Sequence, residues 1–398
     1  MAHLLYVCLD GLGDDPLPEL DGRTPLEAAD TPTLDGLAAR GRSGTVVTVG
    51  PGIAPESDIA VFAILGYDPT EEHPGRGVVE AIGIDLPFES GDLAYRINFA
   101  TATWPEIIDR RVGRDLTSDE AAALADEVNR SLRLPDATFE LRATVEHRGV
   151  LVIRSAEGAL SANVSNTDPA YRKEGPLGVA LERFEPRVAS CVPLDGSREA
   201  ARAAELTNLF VERSAEILDA SEVNRRRRAV GSMPGNVILT RDGGDTRPAL
   251  QPIRERFGLG WGCFVEMPVE RGIARVLGME TVDVPRLASA EDYGVWAELA
   301  ADAVHEPDTA LTQRRTGEVL HLRWRAGARR RAGLPSAWNA DDLPRERQEE
   351  HDAEVGTPLE PFDHGQVGRG CGETIPFWAG ATVYPRRGRG AVRSSRRF

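Results

Sequence analysis

The feature that most constrains the fold is the opening run from Leu4 to Asp10, which is apolar until it reaches an acidic residue and a Gly-rich turn. A short, continuous apolar run that ends in such a turn is typical of a strand buried on both faces. Strands of this kind belong to α/β sheets, which bind ligands at the carboxyl ends of their strands. We therefore expect a buried strand that delivers the Asp10 carboxylate to a ligand-binding sheet edge.

An alternation of helices and strands continues this pattern. The sequence predicts a short helix after Thr31-Pro-Thr33, a strand over Gly44 to Val49, and a helix over Ser57 to Gly66 with a Ser cap and a Gly stop. The alternation resumes near Gly272 with a helix, a strand and an amphipathic helix that ends at Val304. These two parts are expected to form one α/β core.

The segment between the two parts has a mixed texture and is interpreted as an inserted α+β domain. Strand-like runs cover Leu93 to Ala102 and Gly149 to Arg154, Thr117-Ser-Asp-Glu120 is a capping box, and Ser197 opens a long helix. The predicted division is an α/β core in two parts (1–67 and 251–311), an inserted α+β substrate domain (68–250) and a C-terminal tail (312–398).

The tail differs from the rest of the chain in charge and in pattern. From Thr312 to Phe398 it carries 16 Arg against 11 Asp and Glu, whereas the whole chain has a net charge of −16. It shows no apolar periodicity, so we expect a largely irregular segment. Two explanations remain open, namely translation of a G+C-rich gene in a shifted reading frame, and a divergent tail whose Arg-Gly runs bind anions.

Composition excludes several classes of protein. The net charge of −16 argues against nucleic-acid binding, although a locally basic site for a small anion is compatible with it. The four cysteines form no C-x-x-C pair, which argues against a zinc knuckle and a disulfide framework. No apolar stretch reaches the roughly 20 residues of a membrane span, and the N-terminus lacks a basic leader region. We expect a cytoplasmic protein with no membrane or nucleic-acid partner, and its oligomeric state stays open.

Asp10 and Ser57 are the two residues whose positions suggest chemistry. Asp10 is a hard oxygen ligand at a strand end, suited to Mn²⁺ or Mg²⁺, but a carboxylate here also caps turns. Ser57 begins an apolar helix, where the helix field and an adjacent metal favour an alkoxide and bind a phosphate. A serine at this position also serves as an ordinary helix cap.

An ordered series of motifs decides between these alternatives. Together the motifs resemble the cofactor-independent, archaeal type of phosphoglycerate mutase, over about three quarters of the chain. They are Asp10-Gly-Leu-Gly-Asp14, Pro18-Glu-Leu-x-Gly-Arg-Thr-Pro-Leu26, Thr31-Pro-Thr-Leu-Asp-x-Leu-Ala38, Pro55-Glu-Ser-Asp-Ile-Ala60, Leu65-Gly-Tyr-Asp-Pro69, Gly75-Arg-Gly-Val-Val-Glu-Ala81, Tyr95-Arg-Ile-Asn98, Asp109 with Gly113-Arg114, and Asn224-x-x-Arg227-x-x-x-Gly231-x-x-Pro234-Gly-Asn236.

The resemblance implies an alkaline-phosphatase-like sheet with helices on both faces, and an isomerase that interconverts 3-phosphoglycerate and 2-phosphoglycerate. It implies two divalent ions, Mn²⁺ or Mg²⁺, with Asp10 and Ser57 among the ligands and Ser57 as the nucleophile that holds the phosphoryl group. Guanidinium forks suit the phosphate and carboxylate of the substrate. The implied substrate-binding residues are Arg76, Arg96, Asn98, Arg114, Asn224, Arg227 and Arg271, the last standing where relatives commonly carry Lys.

The chain departs from the family pattern after Pro285. Relatives continue with a Gly-Ala-Thr-Gly loop and two carboxylate-histidine motifs that supply the other metal ligands. Here Arg286-Leu-Ala-Ser289 follows, and Asp363-His364 is the one adjacent Asp-His pair in the tail. Three hypotheses are therefore carried forward: an active mutase, a metal-dependent phosphomonoester or sulfate hydrolase on the same fold, and a non-catalytic remnant that binds phosphoglycerate at most. The missing ligands lead us to expect that any mutase activity is impaired.

Overall fold

The computed structural model describes residues 5–9, 12–44, 46–50, 53, 55–181, 183–285 and 290–305, with backbone alone for 290–291 and 304–305. Single 3-10 turns lie at Pro18–Leu20 and Val112–Arg114. The helices are α1 (Pro25–Ala28), α2 (Pro32–Arg40), α3 (Ser57–Ile64), α4 (Pro69–Glu72), α5 (Arg76–Gly83), α6 (Ser118–Ser131), α7 (Arg198–Asp219), α8 (Glu222–Ala229), α9 (Ile253–Phe257), α10 (Pro268–Val276) and α11 (Ala290–His305). The strands are β1 (Leu93–Thr103), β2 (Glu106–Asp109), β3 (Ala137–Ala143), β4 (Arg148–Ser155), β5 (Tyr171–Glu174), β6 (Leu177–Ala180), β7 (Val237–Gly244), β8 (Gly262–Val265) and β9 (Glu280–Asp283).

A five-stranded antiparallel sheet organises the middle of the chain. Its order is β2-β1-β4-β3, and β7 also pairs with β1. Successive side chains of β1 point to opposite faces, so Tyr95, Ile97 and Phe99 enter the core formed with α6 and α7. An antiparallel sheet packed against helices is consistent with the α+β character predicted for this segment.

The other face of the sheet carries α5. Val78 of this helix packs against Ala94 and Val152 of the sheet. Its neighbour Val79 belongs to a second core with Phe62 of α3 and Ile273 of α10. Helix α5 therefore joins the sheet to the helices that surround the start of α3.

The predicted helices are confirmed. Helix α2 follows Thr31, and Thr117 forms a capping box with Glu120 at the start of α6. Ser197 caps α7 by accepting a hydrogen bond from the amide of Ala200. One detail is corrected: Ser57 is the first helical residue of α3, and Glu56 occupies the cap position.

Two predicted strands are wrong within the described residues. Residues 5–9 and 46–49 form no strand, and their apolar side chains are exposed at Leu5 (45%), Val7 (56%), Val46 (76%) and Val47 (64%). A strand needs ladder hydrogen bonds from a neighbour, and the described residues of neither segment form them. Partial burial of Tyr6, Cys8 and Leu9, with Cys8 against the core of Phe62, does not replace that pairing. The parallel strands β8 and β9 pair with each other alone in this part of the chain.

The tail beyond residue 305 lies outside the described residues, so its predicted irregularity remains a prediction. Among the helices described, none is long and apolar enough to cross a membrane.

Candidate active site

Ser57 is partly exposed at the first position of α3, between two buried acidic residues. The backbone carbonyl of Glu56 accepts a hydrogen bond from the amide of Ala60 at 3.0 Å. The Glu56 side chain makes no capping hydrogen bond to the helix. The first-turn amides of α3 are therefore not capped by the side chain at the cap position. A helix end of this kind attracts anions.

Asp58 is fixed by two cationic or polar partners. Its Oδ2 lies 2.9 Å from His73 Nε2, and its Oδ1 lies 3.3 Å from Arg76 Nη1. The amide of Gly75 donates to His73 Nδ1 at 3.1 Å, so the proton of a neutral His73 ring sits on Nε2 and donates to Asp58. Burial alone would raise the pKa of Asp58, but Arg76 and His73 lower it below its ordinary range.

Arg76 and Glu80 extend this network along α5. Arg76 Nε donates to Glu80 Oε1 at 2.9 Å, and Arg96 Nε lies 3.8 Å from the same oxygen. Burial favours loss of the Arg76 charge, yet Asp58, Glu80 and Glu56 together raise the pKa of Arg76. The network thus runs from the residue after Ser57 to Arg96 on the sheet.

Arg96 and Asn98 share one face of β1 and are both buried. Asn98 Oδ1 has no hydrogen-bond partner among the described residues, and the same holds for the nearby His147 Nδ1. Burial, with the positive charges of Arg148, Arg96, Arg111 and Arg114 in decreasing order, lowers the pKa of His147 to about 2. Four guanidinium groups therefore act electrostatically on one buried imidazole, and a local excess of positive charge suits an anionic ligand.

A second network ends at Glu56, the residue before Ser57, where it meets Arg76 of the first network at 3.8 Å. The guanidinium of Arg241, on β7, pairs with the carboxyl of Glu56. It also lies over the ring of Tyr171, 3.8 Å from the ring centroid, and Arg110 approaches the same ring at 5.1 Å. Arg110 donates to both oxygens of Asp168, at 2.8 and 2.7 Å. Burial and neighbouring Asp242 raise the pKa of Glu56, while Arg241 and Arg76 oppose this.

The predicted site residues fall into two groups. Arg76 and Arg96 belong to the network that begins at Asp58, next to Ser57. Asn98 shares the buried face of β1 with Arg96, and the charge of Arg114 acts on His147. Arg271 instead pairs with Asp283 beside β9.

Asn224 and Arg227 have local partners on and near α8. The Asn224 side chain is fully buried and bonds the backbone of Leu218 and Gly235. Arg227 bonds Met233 O at 2.7 Å and Glu120 Oε2 at 2.7 Å, and it pairs with Asp115.

The contacts described above do not include three candidate metal ligands, Asp10, Asp363 and His364. These three residues lie outside the described residues. In the part of the chain that the structure describes, no group of three His, Cys, Asp or Glu side chains is arranged to hold a metal ion. Those residues by themselves do not fit a two-metal centre.

Comparison with known proteins identifies the family to which the chain belongs. Residues 38–224 match the model of a family described as 2,3-bisphosphoglycerate-independent phosphoglycerate mutase. The protein of that name from Aeropyrum pernix is 44% identical over 311 residues, covering 77% of this chain and 72% of the relative. Its namesake from Methanopyrus kandleri is 38% identical over 314 residues, covering 77% and 71%. The chain belongs to this phosphoglycerate mutase family.

A solved structure from the family shows the same relationship in sequence. The cofactor-independent phosphoglycerate mutase from Thermoplasma acidophilum is 34% identical, covers 74% of this chain and 73% of its own, and has a TM-score of 0.42. Membership confirms the family resemblance and the isomerase class. The family description also establishes that these mutases work without 2,3-bisphosphoglycerate as a cofactor.

Several mutase-family residues at the site were not selected from the sequence. Asp58 follows Ser57 and is held by His73. Arg111 and Arg148 add positive charge to the cationic region around His147. Two signals were available: Arg111 lies between the motif residues Asp109 and Arg114, and Asp58 follows Ser57 directly. Nothing local marks His147 or Arg241, because each acquires its surroundings through strand pairing.

Proposed function

We propose that this chain carries the interconversion of 3-phosphoglycerate and 2-phosphoglycerate through a phosphoserine at Ser57, at a rate strongly lowered by the absence of the family's C-terminal metal-ligand motifs after Pro285. The observation that carries the proposal is the continuous network from the start of α3, through Asp58, Arg76 and Glu80, to Arg96 on β1. It places a partly exposed hydroxyl at a helix amide end that is linked to a cationic region. A phosphoryl acceptor and an anion-holding region are the two parts that this reaction needs.

In the proposed mechanism the Ser57 oxygen attacks the phosphorus, the bond to the substrate oxygen breaks, and the glycerate leaves with its hydroxyl protonated. The glycerate is then held and reoriented, so that its other hydroxyl takes the phosphoryl group back. The first-turn amides of α3 favour the negative charge that develops. Retention of the glycerate excludes water, which would otherwise turn the reaction into hydrolysis.

We assign the roles of the substrate residues as follows. Arg96, Asn98 and Arg114 hold the glycerate and its phosphate. Arg227 braces Asp115, the neighbour of Arg114, and Asn224 fixes the loop before β7 through its bonds to Gly235. Arg76 holds Asp58 beside the nucleophile, and Arg271 serves as a substrate ligand from α10.

We also propose that Mn²⁺ or Mg²⁺ acts in this chain, with Asp10 and Ser57 as ligands. Such ions activate a hydroxyl and offset the charge of a transferring phosphoryl group. Because the described residues contain no cluster of three candidate ligands, the centre depends on side chains outside them.

The test is to trap the phosphoserine. Purified full-length chain is mixed with 3-phosphoglycerate and Mn²⁺, quenched in acid, digested and examined by mass spectrometry, while a coupled enolase assay follows 2-phosphoglycerate. A low level of phosphate on Ser57 is expected in the native chain, because its metal ligands are incomplete, and none is expected in Ser57→Ala. Free phosphate without 2-phosphoglycerate would identify a hydrolase, and binding without a phosphoserine would identify a remnant.

A further inference from the structure

The side chain of Glu56 is turned away from the helix that it precedes. Residues at the cap position commonly satisfy first-turn amides through a side-chain oxygen. Glu56 makes no such bond and instead pairs with Arg241, a residue 185 positions later in the chain, and at a longer distance of 3.8 Å with Arg76. Because the Glu56 side chain points to Arg241, it does not cap the first-turn amides of α3, which lie next to Ser57.

Arg241 is held in place by the sheet and by an aromatic ring. It is 1% exposed, lies opposite Arg96 in the pairing of β7 with β1, and has Tyr171 under its guanidinium at 3.8 Å. The pairing register shifts between Ala94 and Arg96, which inserts an extra residue in β7. The bulge and the ring together set the direction of the Arg241 side chain independently of α3.

Gly178 leaves room for the Glu56 side chain in the position where it pairs with Arg241. A Cβ on Gly178 of β6 would lie 2.3 Å from Asp242 Oδ1 and 3.3 Å from Glu56 Oε2, so a larger residue would displace both. Pro55, the residue before Glu56, forms a bridge with Val179 of the same strand. The turn that leads into Ser57 is therefore pinned to β6 and β7.

We propose that Arg241 is a positioning residue for Ser57, which acts by holding the Glu56 side chain away from the amide end of α3. A carboxyl released from Arg241 lies one residue from those amides, where a negative group is favoured by the helix field. There it competes with the phosphoryl group for the same donors. This inference rests on the proposed function, because the competing ligand is the phosphate of phosphoglycerate.

The experiment measures binding of 3-phosphoglycerate by calorimetry to the full-length chain and four variants. We expect Arg241→Met to weaken binding by at least about tenfold, and the double variant Arg241→Met/Glu56→Gln to return to within about threefold of the native chain. Arg110→Met is the matched control, since it removes the other buried guanidinium that packs on Tyr171 but leaves the Glu56 pair intact. It should change affinity by less than about twofold.

Removing one partner of a buried ion pair can prevent folding, so Arg241→Lys is measured together with Arg241→Met. Lysine keeps the charge without the planar stack, so a smaller loss is expected. Equal affinity of Arg241→Met and native chain, or a double variant as weak as the single one, would overturn the proposal. An Arg241 that binds substrate directly, or that only supports the fold, gives no rescue by Glu56→Gln.

A second measurement separates this inference from the proposed function. If the native chain fails to bind 3-phosphoglycerate, the proposed function is wrong, and the positioning role is then judged from a crystal structure of Arg241→Met. We expect the Glu56 carboxyl at the amides of Asp58 and Ile59 in that structure. A Glu56 side chain still directed toward β7 would refute the positioning role whatever the chain binds.

Discussion

Arg96 is the residue at which the two charged regions of the site meet. Its Nε lies 3.8 Å from Glu80, and its charge acts both on Asp58 beside the nucleophile and on His147 at the far end. Arginines are rarely buried as deeply as Arg96. Those that are buried are paired with a carboxylate or bind an anion. Its proposed role therefore leads to a direct test.

Replacing Arg96 by Met should weaken 3-phosphoglycerate binding by about 10- to 100-fold, because a charged hydrogen bond contributes roughly 1.5–3 kcal/mol. Calorimetric titration measures the effect, with thermal melting as the check on folding. Arg172→Met is the control, since Arg172 is an exposed residue paired with Glu174. Equal losses in the two variants would contradict a specific role for Arg96.

His147 makes stability depend on pH in a predictable direction. Its pKa of about 2 in the folded protein lies below the ordinary value of 6.5, so the unfolded chain takes up the proton first as the pH falls. The contribution of this group is present above about pH 6.5 and is lost progressively at lower pH. Between pH 7.5 and pH 5.0 it should lower the free energy of unfolding by about 2 kcal/mol.

Urea unfolding of the native chain and of His147→Gln at these two pH values isolates the effect. The native chain should lose about 2 kcal/mol more than the variant, which lacks the titrating ring. Parallel losses would show that His147 is accessible to protons in the folded state.

At the scale of elements, helices α5 and α10 cross at very short range. A Cβ on Gly272 of α10 would lie 2.0 Å from Val79 O, and one on Gly83 of α5 would lie 2.0 Å from Pro268 O. Two backbones therefore touch where no side chain fits. This crossing holds α5, with Arg76 and Glu80, at its distance from α3 and from the sheet.

Gly272→Ala should lower the free energy of unfolding by about 1–3 kcal/mol, because the added methyl forces the two helices apart. Gly196→Ala is the matched control, since a Cβ at Gly196 meets nothing within 4 Å. Chemical denaturation of both variants measures the difference. If Gly272→Ala leaves the free energy of unfolding unchanged, the two helices can move apart without loss of stability.

At the scale of the whole molecule, the division into 1–67, 68–250, 251–311 and 312–398 remains a prediction. Helix α5 contributes to both the sheet-facing cluster and the cluster with α3 and α10, so it is an element shared by the first two predicted units. The last segment bears on the proposed metal centre, because the two carboxylate-histidine motifs that the family resemblance leads us to expect after Pro285 are absent from the sequence.

We therefore predict little or no mutase activity for this chain. Without strong metal coordination very little of a serine hydroxyl ionises, and attack on a phosphate dianion stalls. The measurement is a coupled enolase assay with excess Mn²⁺, beside a version whose reading frame is restored after residue 285. The native chain should turn over at least about 100-fold more slowly than the restored version.

Comparable turnover from the two versions would show that the tail supplies ligands. Asp363 and His364 would then be the first residues to replace, each by alanine, and loss of activity in either variant would locate the ligands in the tail.

Local information in the sequence determined the helices, the family and the placement of Ser57 at the start of α3. Caps, helical periodicity and contiguous motifs need only neighbouring residues, which is why Thr117, Ser197 and the Arg96 and Asn98 pair on β1 were placed correctly.

Only the tertiary structure decided which segments pair as strands and which distant charged residues meet. The first two predicted strands fail because a strand depends on a partner elsewhere in the chain, and an apolar run does not specify that partner. The pairing of Glu56 with Arg241 joins residues 185 positions apart, and the environment of His147 is assembled from β1, β4 and the turn after β2. Such contacts arise from strand register and buried charge, which act between distant segments and leave no local pattern.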